Sequence, residues 1–490
     1  MKLSLIGHNF KYELEKLIRI FLPFEKIEFI EKWEASDNTA ITRLTTFEKH
    51  TELEAVLCLN QKTISFLDTI SNDCSDYEKE CERVLAVQLY KCFSEITGYI
   101  APWGILTGVR PAKLYSRLVR SLGEKEADLY FSDKLLVSRE KIELCKEAVE
   151  GEDKIISLSQ HNSFSLYISI PFCPTRCTYC SFVSHSVAQA KKLIPDYVDL
   201  LCKELEETAK IAKKCSLKLE TIYIGGGTPT SLNAEQIEKI MKTVSENFSL
   251  ENLREYTVEA GRPDTITRDK LLAIKNGGAT RISINPQTMN DAVLKNIGRN
   301  HTSTQTVEAF MLARECGFNN INMDLIAGLQ GDTIESFDST LTKVLSLDPE
   351  SVTVHSLSIK RAATLNSNNN LTVTEEGKTA SQMVCSAKEK LSKNQIFPYY
   401  MYRQSKTVGN LENVGYAKHG FEGLYNVYIM DETHSILACG ASAVTKLREP
   451  KGTFIDRIFN FKYPYEYISR FDEILERKKS ICEFFDNLSL

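Results

Sequence analysis

The sequence lacks any run of about 18 to 20 apolar residues, the length at which an apolar helix spans a bilayer. Its first residues also lack the apolar stretch of a secretory signal peptide. Positive charge is not in excess, because the formal net charge at pH 7 is −5, which argues against a general nucleic-acid binder. These absences predict a cytoplasmic protein with no membrane span and no nucleic-acid partner.

The patterns of a structural zinc site are missing as well. Such sites usually take four protein ligands as two close pairs, and the sequence has no second C-x2-C pair and no H-x3-H pair. The 14 cysteines are spread along 490 residues rather than arranged as a compact disulfide framework. This distribution favours a reducing compartment, and it isolates the one group of cysteines that is tightly spaced.

That group is Cys173, Cys177 and Cys180, a C-x3-C-x2-C motif that follows a short apolar run beginning at Tyr167. The run predicts a strand, so the three thiolates would share one loop at a strand end and could bind one metal centre. A 4Fe-4S cluster fits three ligands, because its fourth iron remains free for a substrate or cofactor. The alternative interpretation is three buried thiols in a core.

Strand and helix patterns alternate from Leu166 to about Leu357. The predicted strands are Leu166 to Ile170, Thr221 to Gly225, Glu255 to Glu259, Thr280 to Ile284, Asn320 to Leu325 and Ser351 to His355. The helices predicted between them include Asp196 to Lys214, Ala234 to Phe248, Thr304 to Cys316 and Ile334 to Ser346. Six such repeats predict an α/β fold with a parallel sheet curled into a partial (β/α)6 barrel, with its chemistry at the carboxyl ends of the strands.

This pattern suggests three domains. Residues 1–160 form an α/β extension of unassigned role, residues 161–365 the partial barrel, and residues 366–490 a small α+β domain expected to cover the substrate. The boundary near residue 366 rests on the polar, turn-like segment from Asn366 to Asn370.

Polar residues and glycines gather at the predicted strand ends. Gly226, Gly227 and Thr228 follow the second strand, where glycine would let a small ligand approach the backbone; a tight β-α turn is the alternative. Glu259 ends the third strand and could accept hydrogen bonds from a cationic amino group; a helix-capping or surface carboxylate is the alternative. Gln287, Arg299 and Asp324 suit a carboxylate or ribose hydroxyls, or else structural roles.

The cysteine motif, with Tyr179 before its last cysteine, resembles the signature of the radical S-adenosylmethionine (SAM) enzymes. The segment Tyr-x-x-Ile-Pro-Phe-Cys, from Tyr167 to Cys173, is similar to that of the oxygen-independent coproporphyrinogen III dehydrogenases, and the run from Thr107 to Leu114 resembles their branch with a long N-terminal region. This resemblance implies a radical SAM barrel with a 4Fe-4S cluster on the three cysteines. It also implies one SAM at the cluster, with Tyr167, Gly226 and Glu259. The positions that match a second SAM site are Tyr179, Gly227, Thr228, Gln287, Arg299, Asp324 and Ser358, and Val444 matches a further SAM contact.

The activity that the resemblance implies is oxidative decarboxylation. Hydrogen abstraction from a propionate of coproporphyrinogen III, followed by loss of carbon dioxide and one electron, leaves a vinyl group; repeated once, this gives protoporphyrinogen IX. A tetrapyrrole substrate and a reducing donor such as flavodoxin or ferredoxin are therefore the implied partners. One departure is Phe182, which stands where these dehydrogenases carry a fourth cysteine and relatives implicated in haem transfer do not. A haem-binding chaperone, or another radical SAM protein acting on a tetrapyrrole, is the alternative.

The C-terminal third adds candidates for tetrapyrrole binding. Aromatic residues from Phe397 onward could stack on a macrocycle while Arg403 or Lys406 pairs with a propionate; a strand packed in a small domain is the alternative. His419 and His434 could ligate haem iron, although a lone histidine is more often simply exposed.

Overall fold

The computed structural model describes residues 1–31, 36–180, 185–358, 370–404, 406–450, 452 and 454–488. The chain folds as two compact units. The N-terminal unit comprises Met1–Val149, Leu365–Gln382 and Met401–Glu412, and the barrel unit comprises Glu150–Thr364, Met383–Tyr400 and Asn413–Leu490. Within the described residues, no helix is both long and apolar enough to cross a membrane.

The N-terminal region forms one five-stranded sheet with helices. Its strands are β1 (Lys2–Ile6), β2 (Glu28–Ile30), β3 (Thr39–Thr46), β4 (His50–Leu59) and β5 (Lys62–Ser71). Its helices are α1 (Lys11–Phe21), α2 (Tyr77–Thr97), α3 (Pro111–Leu122), α4 (Glu124–Leu129) and α5 (Arg139–Ile156), the last of which continues into the barrel unit. The strand order is β2-β1-β3-β4-β5, with β1 parallel to both neighbours and the β3-β4-β5 meander antiparallel. Phe21 of α1 stacks on Phe93 of α2 in its core.

An eleven-stranded sheet organises the rest of the chain. The strands after β5 are β6 (Ser163–Ile170), β7 (Phe172–Cys173), β8 (His185–Ser186), β9 (Lys218–Gly226), β10 (Glu255–Glu259), β11 (Arg281–Ser283), β12 (Ile321–Ala327), β13 (Ser351–Ser356), β14 (Phe397–Arg403), β15 (Glu412–Ala417), β16 (Ser435–Cys439), β17 (Val444–Arg448) and β18 (Ile455–Phe459). The sheet order is β14-β15-β13-β12-β11-β10-β9-β6-β16-β17-β18, and β7 pairs only with β8. Because β14 and β18 end the described sheet without pairing to each other, the barrel is partial.

Helices lie between the successive parallel strands, and further helices follow β13. They are α6 (Val187–Ala190), α7 (Ile194–Lys214), α8 (Ala234–Asn247), α9 (Arg268–Asn276), α10 (Asp291–Asn296), α11 (Ser303–Glu315), α12 (Ile334–Ser346), α13 (Asn370–Lys393), α14 (Leu424–Asp431), α15 (Pro464–Ser469), α16 (Phe471–Lys478) and α17 (Ser480–Leu488). Several begin at a side chain suited to capping: Asn233 with Gln236, and Thr302 with Gln305, form reciprocal capping boxes. These caps satisfy backbone N–H groups and fix where the helices start.

The predicted fold class is confirmed. The six predicted strands correspond to β6, β9, β10, β11, β12 and β13, which pair in this order and all in parallel. All six strands therefore present their carboxyl ends at one edge of the sheet, which we call the carboxyl edge.

The C-terminal region differs from the expectation. Residues 413–490 belong to the same compact unit as residues 150–364 rather than to a separate unit. The reason is β16, which pairs in parallel with β6 and adds a seventh parallel strand on its other side. No local pattern predicts this pairing, because β16 and its partner are separated by more than 260 residues. The predicted boundary segment before Asn370 lies outside the described residues.

A buried ionic network anchors the loop that follows β16. Glu204 of α7 accepts hydrogen bonds from the backbone N–H of Gly440 (2.8 Å) and the hydroxyl of Tyr467 (2.6 Å). Lys478 Nζ lies 3.1 Å from the same carboxylate and donates to the carbonyl of Ala438 (2.8 Å). Both charged side chains are almost fully buried, so each depends on the other for compensation.

We expect Glu204→Gln to lower the free energy of unfolding by about 3 kcal/mol, because it leaves Lys478 buried without its counter-charge. Urea unfolding followed by circular dichroism measures the change. Glu207→Gln is the matched control one turn along α7, since Glu207 forms an exposed pair with Lys210 and should cost less than about 0.5 kcal/mol. Equal losses in the two variants would contradict this assignment.

Candidate active site

The glycine turn after β9 lies against the segment that carries the first cysteine. Gly227 N donates to the carbonyl of Ile170 (2.8 Å), and Thr228 N donates to that of Phe172 (2.7 Å). A Cβ atom at Gly227 would lie 2.6 Å from Phe172 O and 3.0 Å from Cys173 Sγ. Only glycine fits this approach, so the absence of a side chain at Gly227 lets the turn pack directly against Cys173.

Three thiols share the loop at the carboxyl end of β6. Cys173 and Cys180 are half-buried and Cys177 is buried, and all three are free of disulfides. Cys180 N donates to Cys177 O (3.3 Å), which closes the second half of the loop into a turn. Thr228 Oγ1 lies 3.5 Å from Cys173 Sγ. Among the residues that the structure describes, the side chains of histidine, cysteine, aspartate and glutamate form no group of three or more arranged to hold a metal.

Glu259, at the end of β10, is held among tyrosines. Tyr223 donates a hydrogen bond to Glu259 Oε1 and stacks on Tyr425 at a ring separation of 4.5 Å. Tyr167 lies opposite Tyr223 in the register of β6 and β9 and stacks on both other rings at 6.2 Å. Burial raises the pKa of Glu259 to about 7, and the hydrogen bond from Tyr223 only partly offsets it. Glu259 is therefore partly protonated near neutral pH.

Asp324, on β12, occupies a different electrostatic environment. Asn322 Nδ2 donates to Asp324 Oδ1 (2.7 Å), and His355 Nε2 lies 3.8 Å from Oδ2. Burial favours a higher pKa for Asp324, but the interactions with His355 and the hydrogen bonds from Asn322 and Thr353 outweigh it and hold the pKa below its usual value. Asp324 is therefore an ionised acceptor at neutral pH.

Gln287 lies next to Asp324. Its backbone N–H donates to Asp324 O (2.9 Å), and its carbonyl accepts from Ile326 N (3.0 Å), so it extends the pairing of β11 and β12 by one bridge. Its φ of 68° is a left-handed conformation that a non-glycine residue rarely adopts. The sheet thus fixes Gln287 at the carboxyl edge.

Arg299 connects the cysteine loop to the strand ends. Its guanidinium donates to Tyr179 Oη (3.1 Å), to the carbonyl of Asn285 (2.6 Å) and to that of Gly261 (3.4 Å). The Nε atom of this buried side chain has no hydrogen-bond partner among the described residues. Arg299 is therefore positioned to offer one more donor to an anionic ligand.

Comparison with known proteins agrees with this arrangement. Residues 167–344 match the radical SAM superfamily. HemZ of Bacillus subtilis, named an oxygen-independent coproporphyrinogen-III oxidase-like protein, is 39% identical over 391 residues, which are 79% of this chain and 78% of HemZ. The chain belongs to the coproporphyrinogen oxidase-like family of radical SAM proteins.

Other relatives carry a different name. The heme chaperone HemW of Haemophilus influenzae is 30% identical over 342 residues, 66% of this chain and 81% of that protein. HemW of Bacillus subtilis is 39% identical over 197 residues, 40% of this chain and about half (51%) of its own length. The solved structure of coproporphyrinogen III oxidase (HemN) from Escherichia coli aligns with a TM-score of 0.49 at 23% identity, over 65% of this chain and 71% of that one.

As a radical SAM protein, the chain binds a 4Fe-4S cluster and SAM. Its residues fit these cofactors. Three free thiols lie on one loop, which is the donor chemistry that iron-sulfur clusters prefer, and the turn at Gly227 packs directly against the first of them. Cys173, Cys177 and Cys180 are thus the residues that would hold the cluster.

Two other positions indicated by the sequence lie toward the same edge. Val444 begins β17, and the loop before it is bound to β6, because Ser169 Oγ donates to Ala441 O (2.8 Å). Ser358 follows β13 by two residues and is half-buried. Phe182, which separates this chain from the four-cysteine dehydrogenases, lies outside the described residues.

Two predictions for the C-terminal third are wrong. Arg403 is buried in the N-terminal unit, where it donates to the carbonyls of Leu106 (2.5 Å) and Asn410 (3.2 Å), so it does not offer a free cation to a propionate. His434 is buried between hydroxyls, with Ser159 Oγ 2.6 Å from Nε2 and Ser165 Oγ 2.9 Å from Nδ1, and burial lowers its pKa to about 3. Both ring nitrogens are occupied, which removes His434 as a haem ligand.

The roles suggested for His419 and Lys406 stay predictions. His419 is exposed and stacks on Phe397. Lys406 adopts a left-handed φ of 66°.

Sequence reasoning missed Tyr223, Tyr425 and His355. The alternation along β9 contains a signal for Tyr223, because Tyr223 shares a strand face with Gly225 near the end of that strand. His355 lies at the carboxyl end of β13, so its position on that strand is a signal of the same kind. Tyr425 lies on α14, far along the chain, so no local pattern indicates its contact with β9.

Replacing any one cysteine of the loop by serine should remove most of the iron bound after anaerobic reconstitution. Each thiolate binds one iron, so we expect a fall from about four irons per chain to fewer than about one. Iron and sulfide assays and the visible spectrum measure this loss. Cys58→Ser is the matched control, because Cys58 is a half-buried free thiol of the N-terminal unit. Normal iron content in a loop variant would contradict the assignment.

Proposed function

We propose that the protein is a radical SAM enzyme that oxidatively decarboxylates propionates of coproporphyrinogen III to vinyl groups, giving protoporphyrinogen IX. The observation that carries this proposal is the similarity to HemZ, which covers about four-fifths of both chains and extends well beyond the superfamily segment 167–344. That extent supports a shared substrate class, since the regions outside the barrel also correspond.

The cofactors supply one-electron chemistry that removes a hydrogen atom from an unactivated carbon. The chain's own residues bind and orient the ligands. Glu259 would accept the amino group of the SAM at the cluster, with Tyr167 and Gly226 beside it. The stacked rings of Tyr167, Tyr223 and Tyr425 make that side of the site apolar, which excludes water.

A second anionic or hydroxyl-bearing ligand would lie on the other side of the carboxyl edge. The residues proposed for it are Tyr179, Gly227, Thr228, Gln287, Arg299, Asp324 and Ser358, with Val444 as a further contact. The free donor on Arg299 Nε suits a carboxylate, and ionised Asp324 suits hydroxyls. A second SAM meets both requirements.

SAM binding should depend on pH through Glu259. Protonated Glu259 is neutral and cannot pair with an ammonium group; because burial raises its pKa to about 7, affinity should rise as the pH increases toward that value. We expect a gain of roughly fifteenfold from about pH 5.5 to pH 7, which levels off above that pH. Equilibrium dialysis of reconstituted protein with labelled SAM measures it.

Two variants separate this effect from general damage. Glu259→Gln should bind SAM weakly, and its affinity for SAM should not change with pH. Tyr223→Phe removes a hydrogen bond that lowers the pKa of Glu259. The midpoint of the pH dependence of SAM binding should therefore move to higher pH in this variant. A pH-independent affinity in the unmodified protein would exclude the proposed role of Glu259.

The substrate is tested by anaerobic incubation with SAM, dithionite and coproporphyrinogen III. Mass spectrometry should find products that have lost one or two units of carbon dioxide plus two hydrogens, together with cleaved SAM. Glu259→Gln provides the inactive control. SAM cleavage without any vinyl product would remove the substrate assignment while leaving the family intact.

Haem transfer is the second candidate, favoured by the two HemW relatives. It requires haem binding without loss of propionate. Of the two histidines suggested by the sequence, exposed His419 is the one available to ligate iron. Stoichiometric haem binding that His419→Ala abolishes, with no vinyl product, would favour this function.

A further inference from the structure

Arg262 is a buried cation next to the cysteine loop. It follows Glu259 by three residues, after the left-handed Gly261, and its side chain is 3% exposed. Its Nε and Nη2 atoms each lie 3.0 Å from an oxygen of Asp264, so the pair is bidentate. A buried guanidinium held in this way has a fixed orientation.

The remaining donor of Arg262 points to the loop. Nη1 donates to Thr175 Oγ1 (2.7 Å) and to the carbonyl of Thr175 (3.3 Å). Thr175 lies midway between Cys173 and Cys177, two residues from each. One side chain thus binds both the backbone and the hydroxyl at the centre of the first half of the motif.

The hydroxyl of Thr175 makes a second connection. While it accepts from Arg262, it donates to the carbonyl of Gly298 (3.2 Å). Next to this bond, Thr178 N donates to Ile297 O (3.1 Å). Gly298 has a φ of 77°, and a Cβ there would lie 3.3 Å from Arg176 O, so the loop and this turn are in close contact. Thr175 therefore joins the segment after β10 to the turn after α10.

His301 does not compete for Asp264. Its Nδ1 lies 3.9 Å from Asp264 Oδ1, but burial and the charge of Arg299 lower the pKa of His301 to about 4. It is neutral at pH 7, which leaves Arg262 as the cation that Asp264 orients.

We propose that Arg262, Asp264 and Thr175 form a positioning unit, which we call the Thr175 brace. This unit fixes the backbone conformation of the cysteine loop for cluster binding. The inference rests on the proposed role of the three cysteines as cluster ligands. The brace acts by restricting the backbone between Cys173 and Cys177. Restricting the loop beforehand reduces the ordering cost of bringing the three thiolates onto one cluster.

The hydroxyl of Thr175 gives the sharpest test. Thr175→Val keeps the shape but removes both hydroxyl bonds, whereas Thr175→Ser keeps the hydroxyl. In reconstituted protein, Thr175→Val and Arg262→Gln should lose iron to a ferrous chelator about tenfold faster than the unmodified protein, and Thr175→Ser should restore the slow rate. Arg268→Gln is the control, because Arg268 is exposed and pairs with Glu315 on the surface.

Two further readouts separate positioning from general destabilisation. Hydrogen exchange in the apoprotein should rise across residues 173–180 in Thr175→Val while the strands of the sheet keep their protection. The electron paramagnetic resonance spectrum of the reduced cluster should broaden in that variant and sharpen again in Thr175→Ser. If Arg262→Gln fails to fold, the Thr175 pair alone decides.

Unchanged iron loss and unchanged exchange in Thr175→Val would overturn the brace. Absence of tetrapyrrole chemistry would not, because iron retention and apoprotein exchange do not depend on substrate. An iron-free but protected loop in the unmodified protein would reject the cluster assignment and, with it, the role of the brace in cluster binding.

Discussion

Two backbone hydrogen bonds, from Gly227 N to Ile170 O and from Thr228 N to Phe172 O, govern the candidate site. They continue the parallel pairing of β6 and β9 past the end of the strands and bring Gly227 against Cys173. Parallel pairing aligns the remaining carboxyl ends along the same edge. The positions of Glu259 and Asp324 relative to the cysteines follow from this alignment rather than from contacts with the cysteine loop itself.

Along that edge, two carboxyl groups have opposite electrostatic properties. Glu259 lies among tyrosine rings, and burial raises its pKa, whereas polar neighbours lower the pKa of Asp324. Environments that shift the pKa values of two carboxyl groups in opposite directions typically give the two groups separate roles. One acid can therefore exchange a proton for a cationic ligand, while the other stays ionised and accepts hydrogen bonds.

Much of this fold is encoded locally. The six apolar strand patterns, the helix patterns between them and the residues at the strand ends all lie in one region of about 200 residues, and strand pairing in sequence order brings them together. The features that the sequence did not predict depend on residues that are far apart in the chain or on the burial of polar side chains. β16 joins β6 from a distant part of the chain, and Arg403 and His434 looked like ligands because a sequence does not reveal whether a polar side chain is buried. Hydrogen-bonded burial, not exposure, accounts for both residues.

The pairing of β16 with β6 also has a consequence for synthesis of the chain. β6 leads directly into the three cysteines, yet its second neighbouring strand is translated more than 260 residues later. At about 5–20 residues per second, that neighbour emerges from the ribosome roughly tens of seconds after β6. Until then one side of the cysteine-bearing strand lacks its neighbour, so the sheet on both sides of that strand is completed late in synthesis.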